Sequence, residues 1–298
     1  MDLWKLPNLR SFCSSTKNTS TIEANNSNPS QPLFCEKVAF PALGDLDVSG
    51  LDKISGIAGD KQLKHPIKEE EKESFWKLRN LPCLQRLHIF GGNNLKAIVV
   101  ANKEGGAYDK PLVFPKLCSL HLYNLRNLKS FYGHCGPKEE EEEEYLQPQP
   151  LFNEKVVFPC LEELSIRSMA NIEQIWISTP PTNSFNKLTS LYVCKFNRLV
   201  YVAPLELLGS LQNLQSICIT ECELLEEVFK TRRSNVGEGI VLRDEATSKQ
   251  VEITHVLPQL ERVFLKKLPC LISFCSGYKL APSVQLSIEE CPSLRPLM

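Results

Sequence analysis

Apolar residues recur along this chain at fixed intervals, which are clearest in the stretch that begins at Leu161. There the apolar positions are 1, 4, 6, 9, 12 and 15, occupied by Leu161, Leu164, Ile166, Met169, Ile172 and Ile175. Side chains alternate along an extended strand, so positions 4 and 6 share one face. The three-residue steps that follow favour a turn that returns to the same core. Each copy therefore predicts one short strand followed by a return segment.

Eight copies of this spacing occur, and none of them contains a gap. They begin at Leu43, Leu84, Leu117, Leu161, Leu188, Leu214, Leu260 and Ser283. Of their 8 × 6 = 48 positions, all but Gly92 and Ser283 are apolar, whereas a hydrophobic content of 42% would make about 20 apolar by chance. The pattern L-x-x-L-x-L-x-x-(N/C)-x-L is that of the leucine-rich repeat. It predicts an α/β-type solenoid, a horseshoe with a parallel β-ladder on the concave face and an irregular or short helical convex side.

Residues 1–298 are predicted to form a single array of about eight repeats after a partial first one, in which Leu3 takes position 6. Neither end shows a polar capping segment, so we expect part of a longer array or a fragmentary gene model. Residues 14–33, rich in Ser, Thr, Asn and Pro, predict a disordered loop. Polar insertions between repeats are expected at 64–74, 102–110, 136–150 and 231–252. The glutamate run Glu139–Glu144 favours a solvated loop over a binding site for a basic partner.

An apolar residue followed by proline stands ahead of several predicted strands. These pairs are Phe40-Pro41, Leu81-Pro82, Phe114-Pro115, Phe158-Pro159 and Leu257-Pro258. Proline lacks a backbone donor and favours extended geometry in the residue before it. We expect each proline to end the preceding segment and each apolar partner to fill the core.

Composition narrows the class of protein. The chain has 34 Lys and Arg residues and 35 Asp and Glu residues, so it lacks the basic character of a nucleic-acid-binding protein. No apolar run approaches the ~18 residues of a membrane span, and no secretory signal opens the chain. The 12 cysteines include no C-x-x-C pair and favour buried thiols in a reducing compartment over disulfides or a metal site. The predicted location is therefore cytoplasmic.

Motifs for catalysis are not found in the sequence. It contains no phosphate-binding G-x-x-x-x-G-K-[ST], no G-x-S-x-G and no H-E-x-x-H. His88 and His121 both fall at position 5, and adjacent repeats would bring the two rings to about 5 Å. The next repeat has Ser165 at that position, so ordinary surface histidines are favoured over a metal site. We expect neither catalytic nor metal-binding residues.

The outward positions 2, 3, 5, 7 and 8 flank the buried anchors and are predicted to face the concave side. Arginine and aromatic side chains among them are typical of protein interfaces, although the polar face of any sheet would also alternate in this way. The residues predicted to bind protein are Arg86, His88, His121, Tyr123, Glu163, Arg167, Tyr192, Arg262, Phe264 and Lys266. Tyr192, Arg262 and Phe264 are the leading candidates.

Several short segments of the sequence resemble those of one protein family. They are the strand-leading Phe-Pro pairs, the segments 211–219 and 222–229, and the ending Cys291-Pro292-Ser293-Leu294. The chain resembles the leucine-rich-repeat region of plant nucleotide-binding disease-resistance proteins of the coiled-coil class. This resemblance implies an intracellular immune receptor that recognises a pathogen effector or a guarded host protein. It also implies contact with the receptor's own nucleotide-binding domain.

The resemblance places the cofactor elsewhere in the receptor. ADP or ATP would bind an upstream domain that this sequence lacks, so no cofactor is expected in the repeats. The alternative is the substrate-recognition repeats of an F-box-type ubiquitin ligase receptor, which also contain cysteine. An F-box ahead of the repeats would favour that alternative, whereas an upstream phosphate loop would favour the immune receptor.

Overall fold

A nine-stranded parallel sheet dominates the computed structural model, which describes residues 1–4, 33, 40–50, 58–60, 81–92, 94–102, 111–135, 149–177, 180–230, 257–275 and 280–295. In sheet order the strands are β1 (Asp2–Trp4), β2 (Asp45–Ser49), β4 (Arg86–Phe90), β7 (Ser119–Tyr123), β10 (Glu163–Met169), β11 (Ser190–Phe196), β13 (Ser216–Thr220), β15 (Arg262–Lys266) and β17 (Gln285–Glu289). All eight predicted strands are present, and β1 belongs to the partial first repeat. The predicted parallel ladder is confirmed.

The strands pair position for position, as the repeat frame predicts. Leu164 of β10 lies opposite Leu120 on one side and Leu191 on the other, so position 4 meets position 4. In the partial repeat, Leu3 lies opposite Val48, which confirms its assignment to position 6. Side chains at positions 4 and 6 are buried along the sheet until β17, for which the described residues provide a neighbouring strand on one side only. The outward positions form the opposite surface.

Short parallel ladders form the return side of the repeats. One contains β3 (Ala58–Asp60), β5 (Ala97–Asn102) and β8 (Ser130–Cys135), and another contains β12 (Tyr201–Pro204), β14 (Glu227–Lys230) and β16 (Ser273–Cys275). A third pairs β6 (Leu112–Val113) with β9 (Val156–Val157). Among the described residues, the helical structure is limited to one 3-10 helix, Leu205–Ser210. Extended backbone is therefore more common on this side than the irregular or helical structure that we predicted.

The apolar-Pro pairs form tight turns that lead into the strands. The N–H of Leu43 donates to the carbonyl of Phe40 at 3.1 Å, and Leu84 donates to Leu81 at 3.2 Å in the same way. Proline is then the second residue of the turn, where its fixed φ is favourable. Phe114 and Phe158 are buried, so the predicted role of the apolar partner is confirmed.

Position 8 adopts the left-handed backbone conformation in every full repeat. The φ angles lie between 54° and 71° for Gly50, Gly91, Asn124, Ser168, Lys195, Glu221, Lys267 and Glu290. The N–H of this residue donates to the neighbouring repeat, as from Asn124 to the carbonyl of Arg167 at 2.9 Å. This residue turns the chain away from the sheet. Only two of the eight are glycine, so the sequence carries little signal for this feature.

Two positions that interrupt the apolar pattern have different explanations. Gly92 has a φ of 117°, and a Cβ there would lie 2.8 Å from the Leu95 Cδ1, so a larger residue would strain the backbone and displace Leu95. The assignment of Ser283 as an anchor is wrong, because its side chain is exposed whereas Val284 is buried. Val284 also closes the turn by donating to the carbonyl of Ala281 at 3.0 Å. The last repeat is therefore one residue shorter between its first anchor and its strand.

The cysteines at position 9 bond inside the turn, as expected of a small and weakly polar side chain. The Cys222 thiol donates to the carbonyl of Thr220 at 3.4 Å, and the Cys291 thiol donates to that of Glu289 at 3.3 Å. Burial raises the pKa of Cys222 to about 12. The nine cysteines whose side chains the structure describes are free thiols.

The predicted loop and insertions fall mainly outside the described residues. Of 14–33, the structure describes Leu33 alone, and its side chain is fully buried in the core. The segments 64–74 and 231–252 lie outside the described residues, as do 102–110 after Asn102 and 136–150 before residue 149. The glutamate run Glu139–Glu144 lies outside them as well.

An aromatic cluster fills the core behind the middle strands. Phe158 is at its centre, stacked on Phe114 at a centroid distance of 5.3 Å and edge-on to Phe131 at 5.2 Å. Phe152 and Phe185 each lie 5.5 Å from Phe158. Aromatic pairs at such distances stabilise beyond the area that they bury. This packing connects the segments that precede β7, β10 and β11, through Phe114, Phe158 and Phe185.

Candidate protein-binding face

The outward side chains at positions 3, 5 and 7 of the nine strands form one surface, here called the sheet face. Every residue that the sequence predicts to bind protein lies on it. Arg86 and His88 lie on β4, His121 and Tyr123 on β7, Glu163 and Arg167 on β10, Tyr192 on β11, and Arg262, Phe264 and Lys266 on β15. The parallel register brings them into three rows that cross the strands, one for each frame position.

A network of acidic and basic groups covers the amino-terminal part of the sheet face. Arg86 donates from Nε and Nη2 to the two carboxylate oxygens of Asp45 at 2.8 and 2.7 Å. This bidentate contact lowers the pKa of Asp45 and raises that of Arg86, chiefly through the hydrogen bonds. His88 Nδ1 lies 2.8 Å from Asp47 Oδ1. These contacts join β2 to β4 through partners that the sequence places 41 residues apart.

His88 and His121 stack face to face. Their ring centroids are 4.2 Å apart and their planes differ by 4°. His121 Nε2 lies 3.2 Å from Glu163 Oε1, whereas His88 contacts Asp47 on the other side of the pair. Burial, followed by the nearby His88, lowers the pKa of His121, while Glu163 opposes the shift. The contact with Glu163 therefore partly offsets the effect of burial on this ring.

The expected proximity of the two histidines is confirmed, but the geometry does not suit a shared metal ion. His88 Nδ1 and His121 Nε2 face carboxylates on opposite sides of the pair, so these two nitrogens do not converge on one point. Within the described part of the chain, no group of three or more His, Cys, Asp or Glu side chains is arranged to hold a metal. The pair acts instead as part of the hydrogen-bonded surface.

Tyr123 and Arg167 continue the network towards the middle strands. The Tyr123 hydroxyl donates to Ser165 Oγ at 2.9 Å, and the Arg167 guanidinium lies 5.6 Å from the centroid of the Tyr123 ring. Arg167 Nη2 is also 4.0 Å from Cys194 Sγ. A guanidinium over a tyrosine ring is a favourable cation–π arrangement. Five consecutive strands are thus connected through side chains on this face.

The carboxy-terminal part of the sheet face has fewer internal contacts. Tyr192 is 39% exposed, while Phe264 is half-buried rather than exposed as the frame predicts. Lys266 Nζ forms an ion pair of 2.6 Å with Glu289, and this hydrogen bond raises the pKa of Lys266. The exposed Arg262 has no ion pair with any described residue. Tyr192 and Arg262 therefore retain the most capacity for a partner.

The candidates chosen from the sequence omitted Phe90, which has the largest exposed fraction among the large apolar side chains of the described residues, at 55%. It stands at position 7 of β4 and lies opposite Tyr123. The repeat frame by itself places position 7 on the outward side, so Phe90 could have been identified from the sequence. Asp45 and Asp47 also stand at outward positions of the frame, on β2, but their roles as partners depend on the register.

The comparisons with known proteins agree with the fold. No solved structure matches the chain. No helix among the described residues is long and apolar enough to cross a membrane. Residues 154–298 match the family described as plant disease resistance protein RPS2-like, leucine-rich repeats, and the strands before residue 154 continue the same sheet. Residues 154–298 are therefore similar to the leucine-rich repeats of plant disease resistance proteins.

Proposed function

We propose that the array recognises a pathogen effector, or a guarded host protein that an effector has modified, through its sheet face. In a complete receptor, we propose that the same array binds the nucleotide-binding domain and keeps its switch inactive in the cytoplasm. The observation that carries this proposal is the continuous polar and aromatic surface on nine strands in register. The match to disease-resistance repeats favours this role over that of a ubiquitin ligase receptor.

The proposed binding residues differ in how much they can offer a partner. Arg86 and Lys266 already form close ion pairs, and breaking those pairs would reduce any gain from binding. Tyr192 and Arg262 are exposed, and Arg262 can still form a bidentate contact. Tyrosine and arginine are common at the centres of protein interfaces, where truncation typically costs ~2 kcal/mol or more. We therefore place the centre of the interface between β11 and β15.

The role proposed here is binding without catalysis. The sheet face presents arginine, histidine, tyrosine and carboxylate groups that largely satisfy one another across neighbouring strands. Such a surface recognises shape and charge, because its polar groups are held in place before the partner arrives. A preorganised surface of this kind suits a receptor.

The experiment supplies the nucleotide-binding domain of an RPS2-like receptor in trans and measures its association with the purified chain. A Tyr192→Ala/Phe264→Ala double variant should bind at least tenfold more weakly, because it removes both aromatic side chains from the proposed centre. Leu224→Ala is the matched control, since Leu224 is 49% exposed but lies outside the strands of the sheet. Equal binding by parent and double variant would move the interface away from this part of the sheet face.

A further inference from the structure

A groove of about 420 Å³ lies at the amino-terminal part of the sheet face. Its lining comes from the four adjacent strands β1, β2, β4 and β7, through Asp2, Leu3, Asp47–Ser49, His88–Phe90 and Tyr123. The walls are mainly apolar, and the exposed ring of Phe90 forms one of them. An apolar groove of this size accommodates one or two side chains of a partner.

The groove lies beside carboxylates, one of which, Asp2 Oδ1, is 3.9 Å from the N-terminal ammonium of Met1. Its lining contains the carboxylates of Asp2 and Asp47 but no lysine or arginine. The nearby Arg86 is already held by both carboxylate oxygens of Asp45. His88 Nδ1 lies 2.8 Å from Asp47 Oδ1. The groove therefore favours a cationic group.

The carboxylate of Asp47 retains capacity for a partner. One oxygen, Oδ1, accepts from His88, while Oδ2 has no partner among the described residues. The side chain of Asp47 is 50% exposed, so a ligand can reach it. Its contact with His88 also limits its rotation. A fixed and partly exposed carboxylate beside an aromatic ring is a suitable site for a planar cation.

The sheet face already contains an example of the corresponding contact. The Arg167 guanidinium lies over the ring of Tyr123, and Tyr123 is the register neighbour of Phe90. No cation from the described residues lies over the Phe90 ring itself. The Phe90 ring is therefore an aromatic surface similar to the Tyr123 ring, and a cation from a partner can occupy it as Arg167 occupies that of Tyr123.

We propose that this groove binds an arginine side chain of a protein partner, in a segment where an apolar residue is adjacent to the arginine. The guanidinium lies on the ring of Phe90 and donates to Asp47, while the apolar neighbour enters the groove. Arginine suits this site better than lysine because its planar fork combines stacking with a directed hydrogen bond. The site is separate from Tyr192, Arg262 and Phe264, and does not depend on the interface proposed above.

The test begins with a random twelve-residue phage-displayed peptide library, selected on the immobilised full chain and counter-selected on Phe90→Ala. We expect enrichment of peptides that contain arginine next to Leu, Ile, Val or Phe. A synthetic representative is then measured by fluorescence polarisation. Replacing its arginine with citrulline, which keeps the shape and removes the charge, should weaken binding about tenfold.

Variants of the chain identify the groups responsible. Phe90→Leu keeps an apolar side chain but removes the ring, and Asp47→Asn keeps an acceptor for His88 but removes the charge. Each should weaken the peptide about fivefold, with circular dichroism unchanged. Glu289→Gln, at the opposite edge of the sheet face, should have no effect, and neither should Tyr192→Ala/Phe264→Ala.

Several results would overturn the proposal. They are enrichment of peptides without a basic residue, equal binding of the citrulline peptide, and no enrichment at all. Self-association of the chain that Phe90→Leu abolishes would assign the groove to a second copy instead.

Discussion

Burial at position 6 differs sharply between the middle and the end of the sheet, and this difference can be measured with two identical substitutions. Ile166 on β10 is 0% exposed, whereas Ile288 on β17 is 42% exposed. Both isoleucines occupy position 6 of the frame. Ile166 lies between Leu122 and Val193, whereas Leu265 is the only sheet neighbour of Ile288 among the residues that the structure describes. Changing each to alanine therefore isolates the contribution of the second neighbour.

The expected magnitudes follow from the carbon atoms removed. Ile166→Ala deletes three fully buried carbons, which at about 0.8 kcal/mol each amounts to ~2.4 kcal/mol of transfer free energy. A cavity enclosed by packed neighbours adds to this, so the total should be about 3–4 kcal/mol. At Ile288 roughly half of the transfer free energy applies and the space remains open to solvent. Ile288→Ala should therefore cost about 1 kcal/mol.

Urea unfolding followed by circular dichroism measures the global loss, and hydrogen exchange locates it. Repeats contact only their neighbours, so Ile166→Ala should increase exchange in β7, β10 and β11 before the ends of the array. Ile288→Ala should affect β15 and β17 alone. Equal losses of stability in the two variants would refute the assignment of β17 as a half-covered edge strand. A loss below about 1 kcal/mol for Ile166→Ala would refute the burial of position 6 itself.

Three further predictions follow from single sites. Gly91→Ala should cost about 1 kcal/mol in urea unfolding because its φ is 71°, and Gly92→Ala should cost more because its Cβ would meet Leu95 at 2.8 Å. In an NMR titration, His121 should titrate below the ordinary value of 6.5, and Glu163→Gln should lower its midpoint further by removing the opposing carboxylate. The unfolded chain binds a proton at His121 more readily than the folded chain does, so the free energy of unfolding should decrease as the pH falls below 6.5. Iodoacetamide at pH 8 should label the exposed Cys270 before Cys222 and Cys275, whose thiols have pKa values raised to about 12 by burial, as mass spectrometry would show.

The repeat frame alone predicts much of this architecture. Alternation along a strand places positions 4 and 6 inside and positions 3, 5 and 7 outside, whatever the rest of the chain does. The frame therefore identified Leu164 as buried, Tyr192 as outward and Leu3 as position 6 of an incomplete repeat. Each of these results depends on local spacing, which the sequence contains directly.

Local spacing was insufficient where the backbone conformation depends on neighbouring repeats. Lys267 and Glu221 adopt left-handed backbone conformations that their side chains do not favour. Hydrogen bonds to the adjacent repeat stabilise them, as from the Lys267 N–H to the carbonyl of Glu289 at 2.9 Å. The exposure of Ile288 likewise results from its place at the edge of the sheet. Its own residue type would have predicted burial.

The sequence by itself determined which side chains of this protein are outward, whereas the tertiary structure decided what they contact. His88 and His121 were both outward by the frame, but only the register brought them into a stack at 4.2 Å between Asp47 and Glu163. The groove beside Phe90 exists because strands from four repeats lie next to one another. The physical reason is that alternation is a property of one strand, whereas a binding surface consists of contacts between strands that long insertions separate in the sequence.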